Sequence, residues 1–212
     1  MNKQILKKTN WNDYYKNPSR FASLTRKITE KKILNYIYMF VTGSDFSIQE
    51  MGGANSCFLL SILKKFPNCN FTIIDNNYVG IELSKKNFAK YTNVKVKNLD
   101  ILNSDNSIYT DVVLSVGLIE HFNVFDTAKM IKKHFTATKS NGMVIITYPT
   151  PTYSYIITRK ILEFFSLWQF HDERALTQEE VEIEALKYGK IIAHKINRLI
   201  PLTQGILVCI KK

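Results

Sequence analysis

The stretch Ile48-Gln-Glu-Met-Gly-Gly-Ala-Asn-Ser56 constrains this chain more than any other. An apolar run leads into it from Phe46, and Cys57 to Phe66 follows with apolar residues at helical spacing. A short strand, a tight turn of small residues and a helix make a nucleotide-binding βα corner. Small residues let backbone N–H groups come close to a ligand, and the helix N-terminus adds a partial positive charge. The next apolar run, Phe71 to Ile74, ends on Asp75, where a carboxylate is placed to accept hydrogen bonds from ribose hydroxyls.

The rest of the chain repeats this alternation. Ile28, Ile33, Leu34, Ile37, Tyr38 and Val41 share one side of a helix predicted from about Ala22 to Val41, ended by Gly43-Ser44-Asp45. Strands are predicted at Phe46–Met51, Asn70–Asp75 and Asn93–Lys97, with helices at about Asn55–Phe66 and Tyr78–Tyr91 between them. Asp111 to Val116 reads as a central strand buried on both faces. Val124, Ala128, Ile131 and Phe135 define an amphipathic helix, which Asn141-Gly142 should end before a strand at Met143–Thr147. Thr177-Gln-Glu-Glu180 has capping-box spacing and should start a helix to about Tyr188. The last two strands, Lys190–Asn197 and Gly205–Lys211, lie too close in sequence for a parallel crossover and should pair antiparallel. The expected fold is α/β: a doubly wound, mostly parallel seven-stranded sheet ending in an antiparallel hairpin, with helices on both faces.

Composition narrows the setting. With 212 residues and 45% hydrophobic content, the chain can build one globular domain. Cys57, Cys69 and Cys209 are odd in number and lack metal-ligand spacing, which favours reduced thiols and a cytoplasmic protein. The apolar core near Met1 is too short for a signal peptide, and no run is long enough to span a bilayer. The net charge of +11 is spread along the chain among many Lys, Asn, Ile and Tyr residues, so it disfavours a nucleic-acid partner while remaining compatible with an anionic acceptor.

At this point the chain resembles the class I S-adenosylmethionine-dependent methyltransferases, over roughly Phe46 to Lys211. Glu50-Met-Gly-Gly-Ala-Asn-Ser56 looks like the first motif of that family, Asp75 like the acid ending the second strand, and Asp100 in Asn98-Leu-Asp-Ile101 like the acid after the third. Ser115-Val-Gly-Leu-Ile-Glu-His-Phe122 looks like the segment leaving the fourth strand. Ala54 and Ser56 stand where the family usually has glycines, and a positive φ at Ala54 would be strained. The resemblance implies S-adenosyl-L-methionine as cofactor. It also implies an N-terminal helical lid over residues 1–44 and a cofactor-binding domain over 45–212, with an insert at about 150–176 covering the substrate.

Site expectations follow residue by residue. Tyr15, Arg20, Glu50, Gly52, Asn55, Asp75, Asn76, Asp100, Ile101, Val116 and Gly117 are expected around the cofactor. Glu50 would organise the loop or meet the cofactor's amino group, and Ile101 would pack on the adenine. His121 is the candidate general base, with ordering of the pocket as its alternative role. Tyr14, Tyr148, Tyr153 and His171 are candidates for the acceptor pocket, whereas His134 and His194 read as structural. No metal is expected, because the histidines and acids lack close ligand spacing.

The expected activity is methyl transfer to an oxygen or nitrogen of a small molecule, with a bacterial surface-polysaccharide precursor suggested by family analogy alone. A monomer or homodimer is compatible with the sequence, and the aromatic and basic Tyr153–Trp168 segment leaves peripheral membrane contact open. An RNA or DNA methyltransferase is the nearest rival. Enzymes acting on exocyclic base nitrogens usually carry an Asn/Asp-Pro-Pro-aromatic segment where this chain has Gly117-Leu-Ile-Glu120. A non-catalytic partner subunit is the other alternative, and a nicotinamide dehydrogenase lacks its second domain.

Overall fold

The computed structural model describes residues 8–17, 22–104 and 108–212. Its sheet has seven strands: β1 (Ser47–Met51), β2 (Asn70–Asp75), β3 (Val94–Asn98), β4 (Thr110–Val116), β5 (Thr138–Pro149), β6 (Gly189–Asn197) and β7 (Gln204–Lys211), in the order β3-β2-β1-β4-β5-β7-β6. Strands β1 to β5 pair in parallel, and β7 joins β5 and β6 antiparallel. The helices are α1 (Trp11–Lys16), α2 (Ala22–Phe40), α3 (Leu59–Lys65), α4 (Tyr78–Phe88), α5 (Val124–Thr136), α6 (Tyr153–Phe164) and α7 (Gln178–Ala185). The expected α/β sheet with its closing hairpin is therefore present.

Alternation within the strands divides the core. Ile48, Phe71, Ile73, Val112, Leu114 and Ile145 face one buried cluster with Ile33 and Ile37 of α2 and Leu59 and Ile62 of α3. Met51, Ile74, Val113, Val144 and Ile146 face the other, where Met130, Ile131 and Phe135 of α5 and Val181 and Ala185 of α7 cover the sheet. Strands buried on both faces read as continuous apolar runs, which is why β4 and β5 were visible without helical periodicity. Cys69 and Cys209 are buried free thiols, whereas Cys57 is exposed.

Several boundaries differ from the sequence expectation. Helix α3 begins only at Leu59, because the residues before it are tied into a loop: Ala54 N–H donates to Asp75 Oδ2 (3.1 Å) and Asn55 N–H to Ser84 Oγ (2.7 Å). Ser56 Oγ accepts the Leu59 N–H at 3.2 Å. The corner thus spends these loop N–H groups inside the protein and does not present the first turn of a long helix to a ligand. Asn141-Gly142 does not end α5, which stops at Thr136; the pair lies inside β5, with Asn141 at φ 60° beside the register shift between β4 and β5. Thr177 does cap α7, accepting the Glu180 N–H at 3.2 Å, but the Glu180 carboxylate turns to Arg174 (2.7 Å) and leaves the capping box half made. Helix α1 falls within the helical extension expected over residues 1–44, where no separate helix was placed; Asn10 caps it through the Asp13 N–H at 3.1 Å, and Trp11, Tyr14 and Tyr15 share a face.

Candidate active site

Parallel strands put their C-terminal ends on one edge of the sheet, and where the chain leaves neighbouring β1 and β4 towards opposite faces the edge opens into a crevice. A cavity of about 940 Å³ lies there. Glu50 and Gly52 reach it from β1, Asp75 and Asn76 from β2, Asp100 and Ile101 from the segment after β3, and Val116 and Gly117 from β4. Trp11, Tyr14 and Tyr15 of α1 and Trp168, Phe170, Asp172 and Glu173 line it as well.

Its first half is built around two buried acids. Asp75 Oδ2 accepts the Ala54 N–H and the Tyr15 hydroxyl, both at 3.1 Å, and Oδ1 accepts the Asn77 N–H at 2.7 Å. Burial raises the Asp75 carboxyl, and the backbone N–H groups of Asn77 and Ala54 pull it back down. Glu50 is 3% exposed and its Oε2 has no hydrogen-bond partner. Burial pushes its carboxyl up to about 7 against the opposing hydrogen bond from Ser56, with Asp75 adding repulsion. Gly52 has φ 68°, and a Cβ there would stand 2.6 Å from Leu118 Cδ1, so only glycine makes this turn without strain. Ala54 does not take a positive φ; Asn55 does, at 56°. The replaced glycines are therefore no obstacle, since asparagine tolerates that region better than other side chains. Asp100 closes its own turn, accepting from Leu102 N–H (3.0 Å) and Asn103 Nδ2 (2.9 Å), and still lines the cavity.

The second half is a cluster of acids around His121, within the single 3-10 turn Ile119–His121 after β4. His121 Nδ1 lies 3.0 Å from Asp172 Oδ1, which also accepts the Thr9 hydroxyl. The rings of Trp11 and Phe170 stand 4.7 and 5.9 Å from the imidazole, centre to centre. Burial alone would lower the His121 pKa, but the Asp172 hydrogen bond and the charges of Glu120, Glu173 and Asp172 raise it. Glu120 is 2% exposed, and burial pushes its carboxyl up to about 8. Glu173 accepts the Tyr155 hydroxyl, and Arg159 approaches it at 4.0 Å. One donor atom each from Glu120, His121 and Glu173 lie within 4.8 Å of one another, so three residues without ligand spacing in sequence could together hold a cation.

Other candidates fall elsewhere. Tyr148 is 0% exposed, packed in the core with its hydroxyl on His194 Nε2, and does not reach the acceptor side. Tyr153, at the start of α6, is 89% exposed and points away from the cavity; Tyr155 of the same helix turns inward. His171 belongs to a separate small pocket with Glu163, Ser166 and Trp168. Arg20 lies outside the described residues. His134 is buried in α5, donating to the Met130 carbonyl (2.8 Å), and His194 contacts Glu182 (2.6 Å), so both are structural. Sequence reasoning missed Trp11 of α1 and also Asp172 and Glu173, whose only local signal was that the two acids are adjacent after an aromatic insert.

A family model described as "Methyltransferase domain" matches residues 44–205. The chain belongs to this methyltransferase family. Its cofactor is S-adenosyl-L-methionine, as the resemblance to the class I enzymes implied. Solved structures agree in fold. The N-methyltransferase NodS from Bradyrhizobium japonicum, bound to S-adenosyl-L-homocysteine, superposes with TM-score 0.66 at 10% identity, covering 95% of this chain and 93% of that one. Magnesium protoporphyrin IX methyltransferase from Synechocystis superposes with TM-score 0.75 at 9% identity, over 95% and 93% of the two chains. A SAM-dependent methyltransferase from Methanosarcina mazei superposes with TM-score 0.66 at 13% identity, over 83% and 96%. A search of curated protein sequences returns no significant match. Among the described residues of this methyltransferase, no helix is long and apolar enough to cross a membrane.

Proposed function

We propose that the enzyme methylates an oxygen or nitrogen of a small molecule, with the cofactor held by the Glu50–Asp75–Asp100 side of the cavity and the acceptor by the His121 side. The observation carrying this reading is that one cavity joins three acids at the ends of β1 to β3 to an aromatic-walled acid–histidine cluster after β4. In this reading Asp75 holds ribose hydroxyls, Asp100 and Ile101 the adenine, and Glu50 the cationic amino-acid end, with Gly52 and Gly117 allowing close backbone approach. The orphaned Glu50 oxygen and the small-residue cradle fit such a ligand. When bound, the cofactor supplies a methyl group on a sulfonium, ready for in-line displacement. The protein's own part is alignment and exclusion of water, for which the rings of α1 and Phe170 form a cover. His121, oriented by Asp172, takes the acceptor's proton.

A small acceptor is favoured over a nucleic acid because the described lining around His121 carries Glu120, Asp172 and Glu173 and no lysine to pair with a phosphodiester. Titration calorimetry with S-adenosyl-L-methionine and S-adenosyl-L-homocysteine tests the cofactor half. Both should bind the native protein, and Asp75→Ala should weaken them by roughly 30-fold or more through loss of hydrogen bonds to a charged group. Undiminished binding by the variant would remove Asp75 from the assignment.

A further inference from the structure

The cavity has a charge opposite to that of the protein. The chain carries +11, yet the described cavity lining includes Glu50, Asp75, Asp100, Glu120, Asp172 and Glu173 against only Arg26 and His121 as basic residues. Arg26 is engaged with the Tyr14 hydroxyl at 2.8 Å. The lysines that suggested an anionic acceptor do not line this cavity among the described residues. Three of the acids belong to the cofactor side, where a cationic ligand uses them. The other three surround His121 on the acceptor side, where His121 pairs with Asp172 and the described lining holds no lysine or arginine against Glu120 and Glu173.

Their partners can be followed atom by atom. Asp172 is spent on His121 and Thr9. The Glu173 carboxylate receives the Tyr155 hydroxyl and lies 4.0 Å from Arg159, which donates at 2.9 Å to the Glu173 backbone carbonyl. Arg159 is itself shared with Glu163 (2.8 Å) and lies over the Trp168 ring at 5.2 Å. Glu120 keeps a buried Oε2 with no partner at all. A buried carboxylate oxygen without a donor is costly, so its place in a binding cavity points to a donor brought by the ligand. The walls fit a cation as well: Trp11, Tyr14, Trp168 and Phe170 form a continuous set of ring contacts at 5.1 to 6.1 Å between centres. Aromatic faces attract organic cations and exclude anions.

We infer that the acceptor is an amine, bound as its ammonium between Glu120 and Glu173 against the aromatic wall, and that its nitrogen is the atom methylated. This rests on the methyltransferase reading above and narrows its acceptor to one chemical class. The ammonium first gives one proton to the His121 cluster, which frees the nitrogen lone pair. That pair forms the new N–C bond as the methyl C–S bond breaks, its electrons leaving on sulfur, which becomes a neutral thioether. The nitrogen emerges as a methylated ammonium, the positive charge having passed to it from the sulfonium. Glu120 and Glu173 therefore face a cation before and after transfer.

The test uses protein saturated with S-adenosyl-L-homocysteine and three probes of one shape: phenethylamine, 2-phenylethanol and phenylacetate. Calorimetry should show the amine binding at least tenfold more tightly than the alcohol, and the carboxylate not at all. Glu120→Gln and Glu173→Gln, which keep side-chain shape, should each cost the amine tenfold or more while leaving homocysteine-cofactor affinity unchanged. That unchanged affinity also shows that each variant is folded. Equal binding of amine and alcohol, failure of all three probes to bind, or amine affinity indifferent to both substitutions would overturn the inference. So would tight Mn²⁺ binding, followed by its paramagnetic signal and lost in the same variants, that excludes phenethylamine, since the cluster would then be a metal site. Failure of S-adenosyl-L-homocysteine itself to bind would instead strike the underlying methyltransferase assignment.

Discussion

Glu50 gives the most quantitative handle on the cofactor site. Its carboxyl is buried, repelled by Asp75 and raised to about 7, and its Oε2 has no donor. A cationic group placed there by the cofactor would favour the ionised form, so binding should release a proton wherever Glu50 is still protonated in the free protein. Cofactor affinity should then rise with pH through 7. Between pH 6 and pH 8 the protonated fraction falls from about ten-elevenths to about one-eleventh, so Kd should tighten about tenfold, or about 1.4 kcal/mol. Folding carries the opposite sign. Because the folded pKa lies above the unfolded value of 4.5, stability is full below about 4.5 and lost as pH rises through 7, by about 3 kcal/mol for a shift of this size. Glu50→Gln should thus bind the cofactor more weakly at pH 8, by roughly tenfold or more, with no remaining pH slope, while the cofactor-free variant melts higher than the native protein. Calorimetry in buffers of different ionisation enthalpy counts the protons, and thermal unfolding at pH 5 and 8 reads the stability. A native Kd flat from pH 6 to 8, or the same slope in Glu50→Gln, would refute the reasoning.

Three further outcomes are expected. Asp172→Asn should leave cofactor Kd unchanged and lower kcat by tenfold or more, since it removes the charge orienting His121 Nδ1; an equal loss in cofactor binding would make Asp172 a merely structural residue. Gly52→Ala should lower the melting temperature and cofactor affinity together, because φ 68° and a contact of 2.6 Å with Leu118 both disfavour a Cβ, at a cost of about 1–3 kcal/mol; wild-type values for both would show that the turn relaxes freely. His134 is fully buried and held near pKa 4, below its ordinary 6.5. Its stabilising contribution is complete above about 6.5 and lost as pH falls towards 4, by about 3 kcal/mol. Urea unfolding from pH 7.5 to 4.5 should show that loss, and His134→Leu should flatten it.

Much of the fold was legible because burial imposes simple patterns. Strands covered on both faces, such as β4 with Val112-Val113-Leu114, carry consecutive apolar residues, and the apolar positions of α5 recur every three to four residues. The errors lie where hydrogen bonding and not burial sets the boundary. Helix α3 starts late because Asp75 and Ser84 capture the N–H groups of Ala54 and Asn55 from elements distant in sequence. Asn141-Gly142 has turn chemistry, yet the strand continues through it with Asn141 at positive φ. Tyr148 shows the same limit on the site: its position at the exit of β5 suggested the acceptor pocket, but alternation turns it into the core against His194.

What the sequence by itself determined is the corner around Gly52 and the carboxylates at the ends of successive strands. These follow from local rules: which residues permit a tight turn, and where an apolar run stops. The acceptor side was decided only by tertiary structure. Trp11 from α1, Glu120 and His121 after β4, and Asp172 and Glu173 after the aromatic insert meet because parallel strands bring their exits to one edge and the insert folds back over it. No sequence spacing links these residues. Even the sign of the charge met by a ligand was set there, since a chain of net charge +11 gathers buried acids at the cavity and, among the described residues, leaves its lysines outside the lining.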